Sequence, residues 1–192
     1  MTLHAHFEAL YAADEDPWAV RAAWYERRKR ALLLASLGKE RYRSAFEPGC
    51  GNGEMSAQLA QRCERLLACD GAASAVAAAR RHLHAAGVNK FRIEQRSLPA
   101  QWPRDERFDL VVISELAYYF EADVLEDMLA RACAMLDAGG ELALCHYLHD
   151  FDDRVTGTEA AHALIARLPG MTRAVHHLDQ DFLLEVWRKE AP

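Results

Sequence analysis

The stretch FEPGCGNGE, Phe46 to Glu54, decides the fold. It follows a short apolar run and precedes an Ala- and Gln-rich segment of helical composition, so it reads as a strand, a tight turn and a helix start. Gly49, Gly51 and Gly53 alternate through the turn. Without side chains there, the backbone can approach a ligand closely while the N–H groups of the helix start face it. A dinucleotide fingerprint would need its third glycine at position 54, where this chain has Glu54, which argues against a nicotinamide cofactor. Asp70 stands 21 positions after Gly49, at the end of the next apolar run. In a doubly wound fold that position lies beside the first strand-to-helix turn, where a carboxylate accepts hydrogen bonds from a ribose.

Outward from this turn, short apolar runs alternate with longer helical stretches, the pattern of βαβ units and a mostly parallel sheet. Strands are predicted at about 44–47, 65–69, 91–95, 108–113 and 141–147, with helices over Met55–Glu64, Ser74–Ala86 and Ala122–Leu136. Leu110 to Ile113 is apolar without alternation, as a central strand covered on both faces would be. The tail departs from the alternation. A helix over about Thr158–Leu168 is followed by a Pro169-Gly170 break, and MTRAVHHL and DFLLEVWRK then read as two strands joined near Asp179–Asp181. The expected fold is therefore α/β, a doubly wound seven-stranded sheet, mostly parallel with a C-terminal antiparallel hairpin and helices on both faces.

Before the turn, Asp16, Pro17 and Gly38 read as the cap, first residue and stop of one helix carrying Trp18, Val20, Trp24, Leu32 and Leu33. The cluster Arg27, Arg28, Lys29 and Arg30 on it is expected to be mainly a solvated face. At 192 residues, 51% of them hydrophobic, the chain can build one sizeable core, and a single domain over 1–192 is expected. A net charge of −6 gives no attraction for phosphate backbones or anionic lipid, so neither nucleic acid nor membrane is expected as a partner. Cys50, Cys63, Cys69, Cys133 and Cys145 are odd in number with no C-x-x-C pair, which points to reduced thiols and a cytoplasmic location. No apolar run approaches the roughly 18 residues that span a bilayer, and the start MTLHAHFEAL has no apolar signal region.

Glu47, Gly49, Gly51, Gly53 and Asp70 resemble the first motif and the ribose-binding acid of the class I S-adenosylmethionine (SAM) dependent methyltransferases. The resemblance runs from about Ala45 to the C-terminus and implies a Rossmann-like core over 41–192. A narrower resemblance, to the nodulation protein S (NodS-like) group, rests on FEALYAADEDPWAVRAAWYERRKRALLL, LPAQWPRDERFDLVVISELAYYF, TGTEAAHALI and the final LLEVWR. That group N-methylates a deacetylated chitooligosaccharide.

The resemblance implies SAM as cofactor, with S-adenosylhomocysteine (SAH) as product. Glu47, Gly49, Cys50, Gly51, Asn52, Gly53 and Asp70 would hold it on the turn. Where the family often has an acid for the adenine amine, this chain has Ser97, whose hydroxyl still accepts one hydrogen bond; Leu98 would press on the ring. SAM's methionine end needs acceptors, from Glu47, Ser114 and Glu115, and a cation, from Arg28 on an N-terminal helical lid over 1–40 that also brings Trp18 to the ligand.

SELAYYF, Ser114 to Phe120, falls at the carboxyl edge of the sheet, where ligands bind in such folds. Tyr119 is expected to face the acceptor. His146, near the end of the fifth strand, has a side chain suited to proton removal near neutrality, and with Glu115 it completes the expected catalytic set. His149, His162, His176 and His177 show no metal-ligand spacing, and no metal is expected. The expected reaction is methyl transfer to a small-molecule acceptor, an amino sugar or a similar amine. O-methylation of a small metabolite and a non-catalytic SAM-binding module are the alternatives.

Overall fold

The computed structural model describes residues 3–191. Its strands make a seven-stranded mixed sheet, and the chain divides into two compact units.

The first unit comprises residues 1–35 and 40–104. It holds helices α1 (Leu3–Ala13), α2 (Trp24–Ser36), α3 (Glu54–Arg62) and α4 (Ala73–Ala85) and strands β1 (Tyr42–Pro48), β2 (Cys63–Asp70) and β3 (Phe91–Gln95). The strands run parallel, with Phe46 opposite Leu67 and Asp70 opposite Gln95. Ala45, Phe46, Leu59, Ala68, Cys69 and Leu83 are fully buried, and the Trp102 ring meets Phe46 edge-on at 5.4 Å. Because the hydrophobic effect scales with apolar area removed from water, this core anchors the strand ends that carry the glycine turn.

The N-terminal segment corrects the sequence reading. The single helix expected from Asp16 to Gly38 begins only at Trp24, and a separate helix, α1, precedes it. The Asp16 carboxylate does cap a turn, accepting the N–H groups of Val20 at 2.7 Å and Arg21 at 3.1 Å. Ala19 then takes a left-handed conformation, φ 52°, which no α-helix continues through. Nor is the basic cluster simply a solvated face, since Lys29 and Arg30 are buried. Lys29 pairs with Glu26 at 2.9 Å and lies over the Tyr25 ring, and Arg30 donates to the Val20 carbonyl at 2.6 Å. Buried cations need such partners, and the turn at 14–23 supplies one of them.

The second unit comprises residues 36–39 and 105–192. It holds β4 (Phe108–Ser114), a 3-10 turn (Ala117–Tyr119), α5 (Ala122–Met135), β5 (Leu136–Tyr147), α6 (Thr158–Ile165), β6 (Met171–Leu178) and β7 (Phe182–Lys189). β4 and β5 are parallel, while β7 runs antiparallel to both β5 and β6, which is the reversed hairpin. Leu110 to Ile113 are fully buried, as their unbroken apolar run predicts. All five cysteines are buried and none is in a disulfide. Among the described residues no helix is long and apolar enough to cross a membrane.

Candidate active site

The glycine turn in the first unit is built by the backbone. Gly49, Gly51 and Gly53 all have positive φ, at 73°, 52° and 85°. The N–H groups of Gly49 and Cys50 both donate to the Cys69 carbonyl, at 2.8 and 3.0 Å, which ties the turn to the end of β2. Gly51 N–H donates to Asp70 Oδ2 at 3.0 Å, and Ala72 N–H donates to Oδ1 at 2.9 Å. The strand-end acid therefore also organises the turn. Burial pushes its carboxyl up from the usual range, and the backbone donors Ala72, Gly51 and Gly71 work against that shift.

Close approach is required at two of the glycines. A Cβ on Gly51 would stand 2.4 Å from the Tyr11 hydroxyl, and one on Gly53 would stand 2.9 Å from the backbone of Ala79 on α4. The first space lies over the turn. The second lets α4 pack against the start of α3.

Glu47, 4% exposed, accepts the Ser56 hydroxyl at 2.5 Å. Burial raises its carboxyl to about 8, with the Ser56 bond lowering it and the Asp70 charge adding to the rise. Asn52 is buried and its amide donates to the Glu15 carbonyl at 3.3 Å and to Asp16 Oδ1 at 3.0 Å. Asn52 thus fastens the N-terminal segment to the turn. The Cys50 thiol keeps its proton, chiefly through burial and then through the Asp70 and Glu47 charges.

Trp18 is half exposed and stacks edge-to-face on Tyr11, at 5.6 Å. Arg28 is half-buried on α2. Ser97 is exposed, its N–H donating to Gln101 Oε1 at 2.6 Å, and Leu98 is half-buried. A cavity of about 450 Å³ opens beside this segment, lined by Arg96, Gln101 and Trp102 among others. Tyr11 escaped the sequence reading because α1 was not recognised. Its signal was the apolar spacing of Phe7, Leu10 and Tyr11 in an Ala-rich stretch.

In the second unit, β4 ends at the half-buried Ser114, and Glu115 follows in a left-handed conformation, φ 55°. A non-glycine residue held there costs roughly 1–3 kcal/mol and marks a place where surroundings dictate the backbone. The dictating contacts are local. Glu115 N–H donates to the Cys145 carbonyl at 2.9 Å, and its Oε2 accepts the Tyr147 N–H at 3.2 Å and the Tyr118 hydroxyl. Tyr119 is half-buried and packs with Tyr118 and Phe151. Burial, then the charges of Glu115 and Asp153, hold its phenol well above the ordinary range, so it keeps its proton at neutral pH.

His146 is 0% exposed. Its Nε2 accepts the Ala117 N–H at 3.0 Å and its Nδ1 lies 2.9 Å from His162 Nε2. Both ring nitrogens are engaged inside the protein. Among the described residues, no group of three or more His, Cys, Asp or Glu is placed to hold a metal ion.

A methyltransferase domain model matches residues 45–140, half of the chain, from within β1 through β4 and into β5. The chain belongs to the methyltransferase domain family. Its cofactor is SAM, and the turn fits that group: a cradle that a single Cβ at Gly51 would fill, with the Asp70 carboxyl at its edge. Nodulation protein S of Rhizobium tropici is 32% identical over 133 residues, 68% of this chain and 54% of that protein. The same-named protein of Sinorhizobium fredii is 32% identical over 111 residues, 57% of this chain and 50% of its own length. The chain thus spans about half the length of these curated relatives. Among solved structures, a candidate methyltransferase from Pseudomonas syringae is 44% identical with a TM-score of 0.73, covering 87% of this chain and 100% of that one. The SAH complex of the N-methyltransferase NodS from Bradyrhizobium japonicum superposes with a TM-score of 0.85 over 98% of both chains at 24% identity, a likeness of fold.

Proposed function

We propose that the protein transfers the SAM methyl group to the nitrogen of a small amine, an amino sugar being the first candidate, and that residues 1–40 serve as a lid on the cofactor turn. The observation that carries this reading is the bond from Gly51 N–H to Asp70, which welds the glycine turn to a strand-end carboxylate. The family supplies the methyl donor. The 32% identity to a nodulation protein S supports an amine acceptor over a hydroxyl, and the N-methyltransferase named among the fold relatives points the same way.

In this reading Asp70 accepts the ribose hydroxyls, Glu47 and Arg28 receive the ammonium and carboxylate of the methionine portion, and Ser97 and Leu98 border the adenine. Ser114 and Glu115 supply further acceptors. The lid assignment is supported by the Asn52 bonds to Glu15 and Asp16 and by Tyr11 over Gly51. SAM, when bound, brings a methyl on a sulfonium, an intrinsically good leaving group. The remaining task of the protein is to hold the acceptor nitrogen in line, which accounts for about 7–11 kcal/mol of such a barrier, and to take up its proton. Glu115 is our candidate for that step, a reading supported by its carboxylate's two contacts and its left-handed backbone. Tyr119, protonated, offers a hydroxyl and a ring face to the acceptor. The buried, reduced cysteines favour the cytoplasm as its compartment.

The test is titration calorimetry with SAH, and with NAD as control, followed by transfer of labelled methyl to a glucosamine oligomer and to its fully N-acetylated form. Micromolar SAH binding and labelling of the free amine alone support the reading. Labelling of both oligomers would convert the assignment to O-methylation, and binding without labelling would favour a non-catalytic module.

A further inference from the structure

A buried hydrogen-bonded chain runs through the second unit behind the Glu115 segment. Ala117 N–H donates to His146 Nε2 at 3.0 Å; His146 Nδ1 and His162 Nε2 are 2.9 Å apart; His162 Nδ1 and Glu185 Oε2 are 3.2 Å apart. His146, His162 and Glu185 are all at most 3% exposed. Glu185 is in turn met by Arg173 at 2.8 Å, His176 at 2.9 Å and the Trp187 indole N–H at 3.2 Å. Against the burial that would raise it, bonds from His162, His176 and Arg173 bring the Glu185 carboxyl down to about 2, so the chain ends on a firm anion.

Only one proton arrangement satisfies every member. A backbone N–H can only donate, so His146 Nε2 must be the lone-pair nitrogen and Nδ1 must carry the proton. His162 Nε2 then accepts, and its Nδ1–H donates to Glu185. The terminal partner also rules out a proton wire, because a peptide N–H releases no proton at neutral pH. One extra proton on the histidine pair would place an N–H at His146 Nε2, directly against the Ala117 N–H. Around the pair stand Glu185 on β7, which Arg173 and His176 of β6 meet in turn, and Tyr118 on the 3-10 turn, whose ring lies 5.3 Å from His146. Glu115 is bonded to that same tyrosine.

We infer that His162 is a positioning residue. By fixing the tautomer of His146 it holds the Ala117 N–H, and thereby the turn that bears Glu115, Tyr118 and Tyr119. The inference rests on the assignment of that turn to the acceptor side. It adds a residue outside the turn, on α6, whose effect passes through another side chain.

The experiment compares the full chain with His162→Leu and His162→Gln, the second of which can still accept from His146 and donate to Glu185. Imidazole 15N shifts of the parent should show His146 with Nε2 unprotonated, and acidification should move that signal and the Ala117 amide together. His162→Leu should lower turnover of a glucosamine oligomer by about 10- to 100-fold while SAH affinity stays within about twofold, since the glycine turn shares no residue with the chain. His162→Gln should recover most of the turnover. A protonated His146 Nε2 in the parent would overturn the inference, as would full turnover in His162→Leu or a Gln variant no better than Leu. If the parent methylates no amine, the acceptor reading fails while the nitrogen shifts still decide the relay.

Discussion

The glycine turn and the Glu115 turn are both strand ends that present a carboxylate, yet they are held by opposite means. At the first, all five tying bonds begin at backbone N–H groups within a span of 24 residues, Gly49, Cys50, Gly51, Gly53 and Ala72 being the donors. At the second, the backbone is strained and, beyond the β5 backbone groups of Cys145 and Tyr147, the ties are side chains from β5, α6 and β7, up to 70 residues away in sequence. A site for a constant cofactor can be written into local backbone geometry. A site for a variable acceptor is better served by replaceable side chains on a loop.

The largest expected effect tests the first half of that contrast. Gly51→Val forces a branched side chain onto a residue at φ 52° whose Cβ would already clash with Tyr11. SAH binding should fall by more than about 100-fold, with a stability cost of roughly 1–3 kcal/mol read from thermal unfolding. Unchanged affinity would mean that the cofactor does not use this turn.

Next comes Glu115→Gln, which keeps the shape and the acceptor oxygen but removes the charge. If Glu115 takes the proton of the amine, kcat should drop by about 10²- to 10³-fold at neutral pH. A loss confined to KM would instead make Glu115 a binding group. Asp70→Ala removes both a ribose acceptor and the partner of Gly51 N–H, and SAH affinity should weaken by about 1.5–3 kcal/mol in calorimetry. A neutral result would leave Asp70 as a brace for the turn alone.

A smaller, purely structural effect belongs to the second region. Glu185 has a folded-state value near 2, below the usual carboxylate range. A depressed acid contributes stability that is present above its unfolded value and is lost as pH falls through the folded one. Between about pH 4.5 and pH 2 the parent should therefore lose on the order of 3 kcal/mol that Glu185→Gln does not lose. Parallel acid denaturation curves for the two would show that the anion is not firm.

The same contrast explains what the sequence could disclose. The strands from Phe91 to Gln95 and Phe108 to Ser114, the three interior helices and the reversed hairpin follow their periodicity closely, because period and burial are local properties. The glycine spacing and Asp70 were legible for the same reason. Illegible were the helix Leu3–Ala13 and with it Tyr11, since Asp16-Pro17 imitates a helix start and the left-handed Ala19 that breaks the chain there has no sequence mark. The partners of His146 were hidden too. His162 and Glu185 stand 16 and 39 positions downstream, and only packing of α6 and β7 on β5 brings them to it.

The finest test concerns Glu47, whose carboxyl is raised to about 8 by burial, with the nearby Asp70 charge adding to the rise against the Ser56 bond. A raised acid binds a proton in the folded protein that the unfolded chain has already released. Stability without ligand should thus decline as pH rises from about 4.5 to 8 on this account. A ligand ammonium beside Glu47 favours the carboxylate and reverses the preference. Binding of SAH at pH 7 should then release close to one proton, seen as a dependence of the calorimetric heat on buffer ionisation enthalpy, and affinity should climb by up to about tenfold per pH unit below 8. Glu47→Gln should abolish both signatures. Proton release that persists in this variant would move the ammonium to another acid, with Asp70 the first alternative, while release absent from the parent would leave Glu47 a buried partner of Ser56 and no part of the cofactor site.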